Sequence, residues 1–164
     1  MRRHEALELL ESDDLTAIGM EADAVRSRLH PDGIVTYCTE DDVPGHVLTF
    51  EPGGGWVSQI DAVEACEAIA VRAGAGLMAI DYLKLVALCR LCLEVPNIQI
   101  DWRTAGLKVA QLALRFGGND LGWVGEMRNE PDTGMTEEEI RRVIRDAGFV
   151  PKKRLAHYGA LAVL

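Results

Sequence analysis

Asn119 and Asp120 stand directly behind FGG in the stretch NIQIDWRTAGLKVAQLALRFGGNDLG, residues 97–122. A carboxylate next to an amide is equipped to move a proton or to hold a polar ligand. The competing reading is a loop cap. On either reading the pair is not expected in a core, because such groups are costly to bury without partners.

Other groups are weaker candidates. GAGLMA at 74–79 has the glycine spacing of a dinucleotide fingerprint, which works only when a strand delivers the glycines to a helix start. The preceding EACEAIAVRA reads as helix, so the segment is taken as a helix–helix corner. Cys89 and Cys92, three apart, would supply half of a metal site if two more ligands approached. Cys38 and Cys66 add no recognised spacing, so packing in a core is the reading taken, and no metal site is expected. His4, His30, His46 and His157 form no i, i+4 pair, and Ser12, Ser27 and Ser58 lie outside any G-x-S-x-G setting. Arg141, Arg142, Arg145, Lys152, Lys153 and Arg154 concentrate positive charge, either as a dock for an anion or, the simpler reading, as a solvated face.

The elements that must position these groups alternate. From Ser12 as cap, Leu15, Ile18, Ala22, Val25 and Leu29 recur at helical spacing until His30-Pro31. IVTY (34–37) and HVLTF (46–50) read as strands around the loop TEDDVPG, and EPGGGW as a flexible connector. Ser58 and Asp61 open a predicted helix carried by Val63, Cys66, Ile69, Ala70 and Ala73 to Gly74. Residues 78–94 read as a second helix, apolar on most faces and therefore buried. Past Pro96, NIQIDW reads as a strand and GLKVAQLALRF as an amphipathic helix. EMRNEPDTGM is a loop. Thr136 and Glu139 make a capping box for a helix ending at Gly148, and LAHYGALAVL is a last strand or a docked arm.

At 164 residues and 48% hydrophobic side chains, the chain suits one domain, 1–164, of the α/β class. A net charge of -9 excludes phosphate-backbone binding as its main work, so nucleic acid is not an expected partner. No window reaches the roughly 18 apolar residues of a membrane span, and no apolar leader core follows the basic start. A cytoplasmic location with free thiols is expected.

Three stretches together carry a resemblance: LTAIGMEADAVRSRLHPDGIVTY, DYLKLVALCRLCLEVPNIQIDWRTAGLKVAQLALRFGGNDLG and TEEEIRRVIRDAGFVPKKRLAHY. They resemble the two ends of the radical S-adenosylmethionine enzymes of the futalosine route to menaquinone. That family includes dehypoxanthine futalosine cyclase and aminofutalosine synthase, with deazaflavin (FO) synthase subunits as relatives. The resemblance implies a partial (β/α) barrel-like domain, helix-rich, with a short, mostly parallel sheet. Residues 1–37 correspond to an N-terminal helical segment and strand, and 46–164 to the C-terminal part of the barrel. It also implies that Asp101, Trp102, Thr104, Asn119 and Asp120 lie on the substrate side. There Asp120 is the candidate catalytic acid or base, with Asp101, Trp102, Thr104 and Asn119 as substrate-binding residues. The family carries an iron–sulfur cluster on C-x-x-x-C-x-x-C and uses S-adenosylmethionine. That motif does not occur in this sequence, so neither cofactor is expected. An accessory or non-catalytic relative is implied, working as a homodimer or with a full-length family enzyme, because a few strands leave open edges. The alternative that the resemblance implies is a small-molecule-binding protein or non-radical enzyme acting on a futalosine-type nucleoside, with that small nucleoside as its partner.

Overall fold

The computed structural model describes residues 3–40, 45–125 and 134–158. Helices α1 (Arg3–Glu11) and α2 (Leu15–Leu29) lead into strand β1 (Ile34–Cys38), and β2 (His46–Phe50) is followed by the short helix α3 (Trp56–Asp61). Strand β3 (Ala68–Ala73), helix α4 (Ala79–Cys92) and strand β4 (Asn97–Ile100) come next, then α5 (Trp102–Ala105), α6 (Leu107–Ala113) and a 3-10 turn over Leu114–Phe116. Strand β5 (Asp120–Trp123), helix α7 (Glu137–Asp146) and strand β6 (Val150–Lys153) complete the order.

The six strands form one sheet in the order β2-β3-β4-β5-β1-β6, and each pairing is parallel. The expected parallel α/β layering is thus present, with no antiparallel exception among the described strands. The registers Val47↔Ala70, Ala70↔Gln99, Gln99↔Asp120, Asp120↔Thr36 and Thr36↔Lys152 lay one row of side chains across all six strands. Paired residues share a face, so this row lies on one side of the sheet. Their alternates Leu48, Ile69, Val71, Ile98, Ile100, Leu121, Val35 and Tyr37 turn to the other side. There they join Ile18 and Ala22 of α2, Leu85 and Leu88 of α4, and Ile140 and Ile144 of α7 in one core. Helix α4 is buried continuously from Tyr82 to Arg90, as a helix apolar on most faces predicts, with Lys84 and Arg90 buried among its apolar residues.

Several expectations change. The predicted helix from Ser58 to Gly74 stops at Asp61, and Ala68–Ala73 is strand β3. AIAV is buried at all four positions, so the two-residue alternation that marks a half-exposed strand is missing. Gly74 and Gly76 are therefore delivered by a strand to a helix start, contrary to the helix–helix corner. The Glu51 carboxylate, however, fills the space a side chain on Gly74 would need, so an anion there would meet a negative charge. Asp14, rather than Ser12, caps α2, accepting from Ala17 N at 3.0 Å. The final strand is Val150–Lys153, ahead of LAHYGALAVL, whose last six residues lie outside the described part, as do 126–133 of the predicted loop and 41–44 of TEDDVPG.

The capping box is as predicted. Thr136 Oγ1 accepts from Glu139 N at 3.2 Å, and Glu139 Oε2 accepts from Thr136 N at 2.7 Å. Those bonds from Thr136 hold the Glu139 carboxyl below its ordinary value. A depressed folded pKa stabilises above the unfolded pKa and loses that contribution as pH falls through the folded one. Thr136→Ala should cost about 1 kcal/mol in thermal melts at neutral pH. The gap between wild type and Glu139→Gln should close as pH drops below about 4.

Candidate functional site

In an all-parallel sheet every strand ends on the same edge, and side chains gathered there converge whatever their distance in sequence. Asp101 follows β4 and caps α5 with Oδ1, which accepts from Arg103 N at 3.1 Å. Its Oδ2 accepts from Arg72 Nε at 2.9 Å. The Arg72 side chain is 41% exposed, so solvent weakens this pair. Thr104 Oγ1 accepts from Ala73 N at 3.1 Å and donates to the Asp101 carbonyl at 3.2 Å, tying β4 to the end of β3. Arg103 donates to the carbonyls of Trp123 (2.7 Å) and Gly125 (3.2 Å). Its guanidinium stacks on both Trp102 (4.2 Å) and Trp123 (4.5 Å). Trp102 is 8% exposed and presents one ring face to Arg103.

Asp120 sits in the row that crosses the sheet and is fully buried. Its Oδ1 accepts from Gly122 N (2.6 Å) and Arg154 Nη2 (3.0 Å), and its Oδ2 accepts from Arg154 Nε (2.5 Å) and the Thr36 hydroxyl. Burial works to lower the pKa of Arg154, but the bonds and charge of Asp120 overcome it and raise that pKa. Arg154 also lies over the Tyr158 ring at 4.0 Å. Both carboxylate oxygens are thus engaged, and Asp120 reaches a ligand only if Arg154 withdraws.

Asn119 precedes β5 and so lies at the opposite, amino-terminal edge, 2% exposed. Its Oδ1 accepts from Ile98 N (2.8 Å) and Arg90 Nη2 (2.9 Å), while Nδ2 donates to Asn97 Oδ1 (3.0 Å). Arg90 further donates to the carbonyls of Gly117 and Val95, both at 2.8 Å. Burial, and secondarily the Arg26 cation, lower its pKa to about 10, which leaves it charged at neutral pH.

The structure therefore brings Asp101, Trp102 and Thr104 together, sets Asp120 in the sheet interior, and places Asn119 at the far edge. The expectation that Asn119 and Asp120 could not be core is corrected: both are buried because each has partners. Arg72 and Arg103, missed in the sequence, complete the edge cluster, and no local pattern marks them. Most of the basic residues near the C-terminus meet this chain's own acceptors: Arg142 pairs with Asp146 (3.7 Å), Arg145 with Glu138 (2.5 Å) and Lys153 with Glu137 (3.8 Å), while Arg141 donates to the Tyr37 hydroxyl (2.9 Å).

The cluster that the resemblance implies needs three converging thiolates. Cys38 ends β1 and donates to the Glu40 carbonyl at 3.3 Å, Cys66 precedes β3 at the other edge, and Cys89 and Cys92 lie in α4. Burial pushes the Cys89 and Cys92 thiols up, away from the thiolate form. Among the described residues no three His, Cys, Asp or Glu side chains are grouped to hold a metal ion. The residues present do not fit the cluster. No described helix is long and apolar enough to cross a membrane.

Parallel strands joined by helices on one face, with polar side chains collected at the carboxyl edge, define part of a (β/α) fold. Residues 71–163, more than half of the chain, match the family described as the CofH/MqnC C-terminal region, and the chain belongs to that family. It is 39% identical over 101 residues to 5-amino-6-(D-ribitylamino)uracil--L-tyrosine 4-hydroxyphenyl transferase of Archaeoglobus fulgidus, covering 55% of this chain and 29% of the relative. It is 37% identical over 84 residues to cyclic dehypoxanthine futalosine synthase of Halalkalibacterium halodurans (48% and 23%). The synthase of the same name from Streptomyces coelicolor is 36% identical over 89 residues (51% and 22%). The chain thus spans under a third of the length of these relatives.

Proposed function

We propose that the chain is a cytoplasmic accessory, non-catalytic member of this family, related to the futalosine-pathway enzymes of menaquinone biosynthesis and working as an assembly with a second copy or a full-length relative. One observation carries the reading: Arg72, Asp101 and Thr104 form a bonded framework at the carboxyl edge, while the four cysteines are dispersed between the two sheet edges and α4. The chain shares the family's C-terminal region, and its described cysteines do not converge as a cluster site requires.

Anaerobic reconstitution with iron and sulfide tests the catalytic half of the proposal. The expected result is no stoichiometric [4Fe-4S] cluster and no cleavage of S-adenosylmethionine; a full cluster with cleavage overturns it. Light scattering of the chain, alone and mixed with a full-length futalosine-type enzyme, tests the assembly half. The second reading, a binder of a futalosine-type nucleoside, is favoured by the partly exposed Arg72–Asp101 pair, where a polar ligand would find both a donor and an acceptor.

A further inference from the structure

We infer that two copies of this chain pair through strand β2, antiparallel, with Leu48 on the two-fold axis. The inference rests on the reading that the chain works as an assembly, and it assigns the surface and the register.

Among the described residues, β2 has β3 as its sole neighbour and β6 has only β1, so the sheet has two open edges. They are not equivalent. The bond from Gly74 N to Phe50 O turns the backbone of Phe50 toward β3, and alternation does the same for Leu48 and His46. The N–H and C=O groups of Val47 and Thr49 consequently face outward. At the other edge, bonds from Val150 N to Gly33 O and from Arg154 N to Tyr37 O turn residues 150, 152 and 154 toward β1. Pro151 and Lys153 therefore face outward, and Pro151 has no N–H to offer. Strand β6 thus presents a single outward donor. It also carries Lys152 and Lys153, and an antiparallel β6-to-β6 pair centred on either residue, or between them, sets a lysine opposite a lysine of the second copy.

Strand β2 has neither guard. Its outward residues, Val47 and Thr49, are uncharged, and Thr49 is exposed. In an antiparallel pair centred on Leu48, Val47 lies opposite Thr49 of the second copy, and its Val47 opposite Thr49 of the first. Each pair exchanges two backbone bonds, so all four outward donors and acceptors are satisfied without setting like charges together. Charge and hydrogen-bond inventory both select β2 with β2 over β6 with β6. A β6-to-β2 pairing would meet the missing donor of Pro151.

Light scattering over a wide concentration range, combined with amide hydrogen exchange, tests this. The wild-type chain should reach twice its 18.0 kDa mass, with slow exchange at the Val47 and Thr49 amides. Thr49→Lys, at an exposed site, should return the mass to one chain with unchanged circular dichroism, and the Val47 amide should exchange fast while Leu48 stays protected by β3. Val47→Pro, which removes an outward donor only, should act likewise. A wild-type monomer with fast exchange at Val47 and Thr49 overturns the inference. A dimer surviving both substitutions, or a complex formed only with a full-length relative, overturns the β2 assignment while leaving the assembly reading in place.

Discussion

Replacing Asp120 by alanine should lower the unfolding free energy by about 3–5 kcal/mol, because it strands the Arg154 guanidinium in the interior. The Arg154 side chain is 5% exposed and Asp120 is fully buried, so neither charge retains water once its partner is gone. Thr36 and the Gly122 N–H lose their acceptor in the same substitution. Since a domain of this size has about 5–15 kcal/mol in total, the variant should unfold at a much lower urea midpoint. Arg154→Met should fall by a similar amount, since it leaves the carboxylate uncompensated. The double variant Asp120→Leu/Arg154→Met should recover much of the loss, as replacing a whole buried pair by apolar groups is close to neutral. A single-variant loss below about 1 kcal/mol would contradict the picture of a buried, mutually dependent pair.

Asn119→Ala should be nearly as damaging through a different route. Its side-chain oxygen is the acceptor for Ile98 N and for Arg90 Nη2, and both donors are buried. Each buried donor left unpaired costs about 1–3 kcal/mol, more for a charged one. The expected sum is roughly 3 kcal/mol in denaturant titrations. Hydrogen exchange should locate the damage, with the Ile98 amide losing protection before the amides of α7, which lie elsewhere in the fold. Uniform loss across the chain would instead point to a global effect.

These two substitutions also mark how far the sequence could be read. Local signals were reliable where a few adjacent residues decide the structure. His30-Pro31 ends α2, Thr136 and Glu139 start α7, and the β-branched run IVTY makes β1. Strand β3 was misread because Ala and Glu around it satisfy helical spacing and because a strand buried on both faces has no alternation to show. Strand β5 was missed since DLGW is four residues long and begins with a residue disfavoured in strands. What makes Asp120 acceptable there is Arg154, 34 positions away, and what makes Asn119 acceptable is Arg90, 29 positions away. No window of sequence contains both members of either pair. The edge cluster was half legible: Asp101 and Thr104 stand out behind NIQI, while Arg72 reaches Asp101 only because β3 and β4 are registered side by side.

Pro151 has a consequence for the size of any assembly. A sheet with two adhesive edges adds copies without limit and ends as a fibre, whereas one with a single adhesive edge exhausts it at the first encounter. The ring nitrogen at the outward position of β6 acts as a chain terminator, so as concentration rises the particle mass should level off at two chains rather than climb.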